Sequence, residues 1–100
     1  MWLAAAADLG DPVSLAKAIE ALQPLARRPD ATSETLALLG EALLMSGKVT
    51  DAERVLQQAV TRQPVAPIAY RHLAEAARRR GRGAAARDAE SRYARLSPGA

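Results

Sequence analysis

The sequence predicts an all-α fold, and three observations carry that prediction. The 100 residues include 24 Ala and 13 Leu; both are strong helix formers. Aromatic residues, which favour strands, are reduced to Trp2, Tyr70 and Tyr93, with no Phe. Glycine and proline punctuate the chain at Gly10-Asp11-Pro12, Pro29, Gly47, Pro64, Pro67, Gly81, Gly83 and Pro98-Gly99, and the segments between them space their apolar residues as helices do. Helices are predicted over 2–9, 13–28, 34–46, 51–63, 67–80 and 84–96.

Each element has a local cause. Asp11 can cap the second helix, with Pro12 in the first turn, where a missing N–H costs nothing. Pro24 lies inside that helix and is expected to bend it. Thr32 or Ser33 can cap the third helix. Its residues Leu36 to Leu39 and Ala42 to Met45 are apolar almost all the way round, so it must be covered on several sides or leave an apolar surface for a partner. Thr50 and Glu53 have capping-box spacing ahead of the fourth helix. That helix carries one apolar stripe: Ala52, Val55, Leu56, Ala59 and Val60. Pro67 suits the first turn of the fifth. Gly47 and Gly81 stand where a left-handed residue ends a helix at little cost.

The length allows one small domain, residues 1–100. With 49% hydrophobic and 25% charged residues, the composition is globular rather than disordered. The chain has no Cys, which excludes disulfides, thiolate zinc sites and a cysteine nucleophile. No apolar run approaches the roughly 18 residues that span a bilayer, and Met1 to Ala7 lacks the basic flank of a signal peptide. The net charge of +3 is uneven. Residues 71–100 hold eight Arg against Glu75, Asp88 and Glu90, a net of +5, while residues 1–70 are net −2.

No catalytic constellation is visible, and neither a metal nor a cofactor is expected. The single imidazole, His72, reads as a polar residue on a helix surface rather than a base or ligand. Gly81-Arg82-Gly83 lacks the preceding strand and following Gly-Lys of a phosphate loop. The run Arg78-Arg79-Arg80-Gly81-Arg82 has two readings: guanidiniums facing phosphates, or cations satisfying the end of a helix. No aromatic residue interleaves the run to stack bases, so nucleic acid is the lesser reading.

A shift of 34 residues superimposes the chain on itself. Leu36 falls on Tyr70, Leu39 on Leu73, Gly40 on Ala74, Leu43 on Ala77, Gly47 on Gly81, Ala52 on Ala86 and Pro64 on Pro98. In the other direction Ala52 falls on Ala18 and Leu56 on Leu22. Residues 33–66 resemble a tetratricopeptide repeat (TPR), through Leu36, Leu39-Gly40, Leu43, Gly47, Ala52, Leu56, Ala59 and Pro64. Residues 67–100 match less well, with Glu90 in the place of Leu56 and Tyr93 in that of Ala59; residues 1–32 match mainly in their second helix. The resemblance implies a right-handed α-solenoid of three antiparallel helix pairs. The small residues Gly40, Ala52 and Ala59 would let paired helices approach closely, and Pro64 would stop the second helix of its pair. Glu90 and the Arg-rich last helix look like a polar terminal cap, or the chain is a piece of a longer array.

The same resemblance implies a non-enzymatic interaction module with a concave groove lined by the first helix of each repeat. The matching positions are Glu34, Ala37, Glu41, Leu44 and Met45, then Ile68, Arg71, Glu75, Arg78 and Arg79. Leu44 and Met45 would either be exposed for a partner or cover the first repeat. The expected partner is a protein or peptide, acidic and amphipathic or extended, whose carboxylates meet Arg71, Arg78 and Arg79. Self-association is the alternative. Some TPR domains clamp the C-terminal carboxylate of heat-shock chaperones with Lys, Asn and Arg. The matching positions here hold Leu38, Ile68 and His72, so that activity is not expected.

Overall fold

The computed structural model describes residues 11–97. Five helices make up the described chain: α1 (Pro12–Ala26), α2 (Ser33–Met45), α3 (Val49–Ala59), α4 (Pro67–Arg79) and α5 (Gly83–Leu96). No strand occurs among these residues. The helix expected over 2–9, with Trp2, and the Pro98-Gly99 end lie outside the described residues.

The helices pair as a stack of hairpins. α2 packs on α3 and α4 on α5; between hairpins, α1 packs on α2, α3 on α4, and α2 on α4. Each unit therefore buries its faces against its neighbours, as a helical-repeat solenoid must. One core cluster joins Leu15 and Ile19 of α1 to Leu39, Leu43 and Leu44 of α2 and to Ala52 and Leu56 of α3. A second joins Leu36 and Ala37 to Ala59 and Ala69 at the junction of the hairpins. Gly40 explains the closeness of α2 and α3. A Cβ on it would lie 2.5 Å from Leu56 Cγ and Cδ2, and Leu56 is fully buried.

The same turn recurs after α2 and α4. Gly47 has φ +85° and Gly81 φ +74°, and a side chain is strained in that region. Around them Gly47 N donates to Leu44 O and Lys48 N to Leu43 O; Gly81 N donates to Arg78 O and Arg82 N to Ala77 O. These pairs are the two hydrogen bonds of a Schellman motif, repeated 34 residues apart.

Capping follows the sequence in part. Asp11 accepts from Val13 N, and Thr32 accepts from Thr35 N at 3.1 Å. Ser33 does something else: its buried hydroxyl donates to Ala59 O at 2.8 Å and accepts from Ala66 N at 2.9 Å. It thus ties the start of one hairpin to the connector of the next. The expected capping box at Thr50 and Glu53 does not form. α3 begins at Val49 after Lys48, with no side-chain cap. Glu53, 4% exposed, instead accepts from Arg80 at 2.5 Å and from Arg82 at 3.3 Å. A buried carboxylate needs such cationic donors more than a helix start needs a cap. α3 also stops at Ala59, before the expected 63 and ahead of Pro64, with Thr61 Oγ1 donating back to Gln58 O. Pro24 is accommodated near the end of α1, which runs only two residues beyond it. α5 buries only Ala86 and Ala89 among its described residues.

Candidate peptide-binding groove

The helices α2 and α4, first in their hairpins, run side by side and leave a cleft of about 420 Å³ between them. Its walls are Ala37, Leu38 and Glu41 from α2, and Ile68, Arg71, His72, Glu75 and Arg78 from α4. Both sets recur at helical spacing, so each helix turns one face into the cleft. Six of the ten expected residues are brought together here: Ala37, Glu41, Ile68, Arg71, Glu75 and Arg78. Glu34 lines a neighbouring cleft, which shares Ile68 and is otherwise formed by the loops before α2 and α4.

The remaining expected positions are elsewhere. Leu44 is not an exposed groove residue. It is 4% exposed and belongs to the core cluster with Leu15 and Ile19, because α1 covers that side of α2. Met45, one residue on, is 45% exposed and borders a separate cleft with Pro12, Leu15 and Ile19. Arg79 folds back, donating to Glu75 at 2.8 Å and to the last-turn carbonyl of Leu44 at 3.0 Å.

Two lining residues were absent from the expected set. Leu38 is 54% exposed and supplies the apolar surface that Leu44 does not. His72 stands opposite Glu41, with Nε2 at 3.8 Å from a carboxylate oxygen. They occupy equivalent positions 34 residues apart. The signal was present: Leu38 is four residues from Glu34 and three from Glu41, on the same helical face.

The electrostatics of the cleft are largely settled within the chain. Glu75 accepts from Arg78 at 3.1 Å and from Arg79. Those hydrogen bonds, Arg78 first, hold its carboxyl below the usual range. Arg78 also pairs with Glu90 of α5, and its two carboxylates push its guanidinium pKa up. His72 is pushed down by burial, with Glu41 working against the shift and Arg71 adding to it. Arg80 and Arg82 are committed to Glu53. Every guanidinium of the run Arg78-Arg79-Arg80-Gly81-Arg82 therefore has an internal carboxylate partner, and among the described residues only Arg79 also reaches a helix-end carbonyl, that of Leu44. Among the described residues no group of three or more His, Asp or Glu is placed to hold a metal ion, and no helix is long and apolar enough to cross a membrane.

A tetratricopeptide repeat family model matches residues 37–100, the span that holds most of α2 and all of α3, α4 and α5. The chain belongs to the tetratricopeptide repeat family. No curated protein and no solved structure matches the chain. TPR repeats generally mediate protein–protein interactions, binding proteins or peptides, and are typically non-enzymatic. In this TPR chain the cleft between α2 and α4 is built from the first helices of consecutive repeats.

Proposed function

We propose that this chain is a non-enzymatic scaffold that binds a peptide or helix of a protein partner in the groove between α2 and α4. The observation that carries the reading is Leu38. A large apolar side chain is left more than half exposed, beside Ile68, in a concave cleft with a charged rim. Concave sites that combine apolar surface with placed polar groups are the usual form of a binding site; here three apolar side chains face five polar or charged ones. Glu41, Arg71, Glu75 and Arg78 form the rim, Ala37 and Ile68 the floor, and Glu34 lies in the neighbouring cleft that shares Ile68. The partner is amphipathic or extended and carries acidic residues. In this reading the domain spans 1–100, with 1–32 a degenerate repeat, 33–66 the best-formed one and 67–100 a divergent, capping one.

The test is a competition between two faces. Peptides selected on the folded chain from a random phage-displayed library should lose at least tenfold in affinity on Leu38→Asp, and keep it on Gln57→Asp. Gln57 lines a cleft formed by α3, α4 and α5 on another side of the hairpins. Loss on Gln57→Asp with retention on Leu38→Asp would refute the groove. A second reading, self-association, is favoured by the exposed apolar residues Val13, Leu25 and Met45. Light scattering over a concentration series decides it: a mass that rises with concentration supports it, a constant monomer mass removes it.

A further inference from the structure

We propose, resting on the groove reading above, that the cleft selects segments carrying one carboxylate beside an apolar side chain, with Arg71 receiving the carboxylate and Leu38 and Ile68 seating the apolar group. The argument is a charge audit of the lining. Glu75 is taken by Arg78 and Arg79, and Arg78 by Glu75 and Glu90. Arg79 also donates to Leu44 O. Of the cationic side chains that line the cleft, Arg71 has no ion-pair or hydrogen-bond partner among the described residues, and it is exposed. A guanidinium offers a planar fork matched to a carboxylate, and such charge-assisted pairs are the strong ones.

Glu41 limits the number of carboxylates. Among the described residues His72 is the one charge-capable side chain within ion-pair range of Glu41, at 3.8 Å, and burial holds it toward its neutral form. The Glu41 charge is then left uncompensated at the cleft wall, and a second carboxylate in the bound segment meets repulsion. Specificity built from one attraction and one repulsion discriminates better than attraction alone. The cleft therefore rejects polyacidic segments.

The spacing follows from α4. Ile68 and Arg71 are i, i+3 neighbours, with Cβ atoms about 5–6 Å apart. An extended segment places same-face residues two apart, at about 6.6–6.8 Å. A helical segment reaches the same span with residues three or four apart. The selected pattern is an Asp or Glu at one of those spacings from Leu, Ile or Val.

The probe is the same random peptide library, selected in parallel on the full chain and on its Arg71→Glu variant, with far-UV circular dichroism confirming the fold of each. Clones from the wild-type chain should share one acidic residue at fixed spacing from an apolar one. Clones from Arg71→Glu should carry Lys or Arg at that position. The best wild-type peptide, synthesised, should lose at least tenfold in affinity when its acid becomes Lys and regain it on Arg71→Glu. Arg71→Gln should remove the preference without reversing it. Clones that depend on Leu38 but show no acidic preference and ignore Arg71→Glu overturn this inference and leave the groove intact. Clones indifferent to Leu38→Asp, or no enriched clone at all, count against the groove itself.

Discussion

Replacing Gly40 by Ala isolates the contact on which the hairpin packing depends. The added Cβ would stand 2.5 Å from both Cγ and Cδ2 of Leu56 and 3.1 Å from its Cδ1. Carbon atoms rest at about 3.5–4.0 Å, so α2 and α3 must separate by about 1 Å, or Leu56 must leave its rotamer. Neither is cheap, because Leu56 is enclosed and Ala52 packs in the same cluster. Overpacking of this kind costs about 1–3 kcal/mol. Ala regains about 1 kcal/mol of helix propensity over Gly, which leaves a net loss of up to about 2 kcal/mol. For a domain of this size that lowers Tm by up to about 15 °C. Thermal and urea unfolding followed by circular dichroism measure it. Gly83→Ala is the internal control: its Cβ would meet only Arg87 Nη1, at 3.4 Å, and it should be neutral or slightly stabilising. Leu56→Ala in the Gly40→Ala background should show a coupling of about 1 kcal/mol or more in a double-mutant cycle. If Gly40→Ala raised Tm as much as Gly83→Ala, the close approach of α2 and α3 would be refuted.

Three further perturbations test other links. Ser33→Ala removes a hydroxyl that satisfies Ala59 O and Ala66 N; leaving both buried groups unpaired should cost about 2–4 kcal/mol in urea unfolding, and Ser33→Thr should recover part of it. Glu53→Gln should cost about 1–2 kcal/mol, because the carboxylate is buried while Arg80 and Arg82 can still reach water. The exposed pairs of Glu75 should contribute less than about 1 kcal/mol. His72 sets a pH dependence. Its folded pKa lies below the ordinary value of 6.5, so the unfolded chain takes up the proton first. Stability should then be complete above pH 6.5 and decline as pH falls through the folded value. His72→Gln should be flat in that window, whereas the contribution of Glu75, whose pKa is lowered from 4.5, is lost only at more acid pH. An unchanged slope in His72→Gln would contradict the assignment.

The repeat was legible because its determinants are local and periodic. Gly47 and Gly81 end their helices through backbone conformation alone, and Gly40 opposite Leu56 is a matter of size. Those signals survive in a sequence without knowledge of the neighbours. The positions that misled depend on long-range partners. Thr50 and Glu53 have the spacing of a cap, but Glu53 is captured by Arg80 and Arg82, 27 and 29 residues away. Leu44 has the register of a groove residue, yet α1 covers it with Leu15 and Ile19. Leu38 became the apolar groove residue by the same logic, since nothing described lies over it. The Arg run read ambiguously until Glu53, Glu75 and Glu90 supplied a partner for each of its guanidiniums.

The most direct measurement is intermolecular. With a selected peptide bound to isotope-labelled protein, nuclear Overhauser effects should link the peptide's apolar side chain to the methyls of Leu38 and Ile68. Contacts from that side chain to Val60 and Leu73, which line the cleft formed by α3, α4 and α5, with none to Leu38 or Ile68, would place recognition on another face and contradict it.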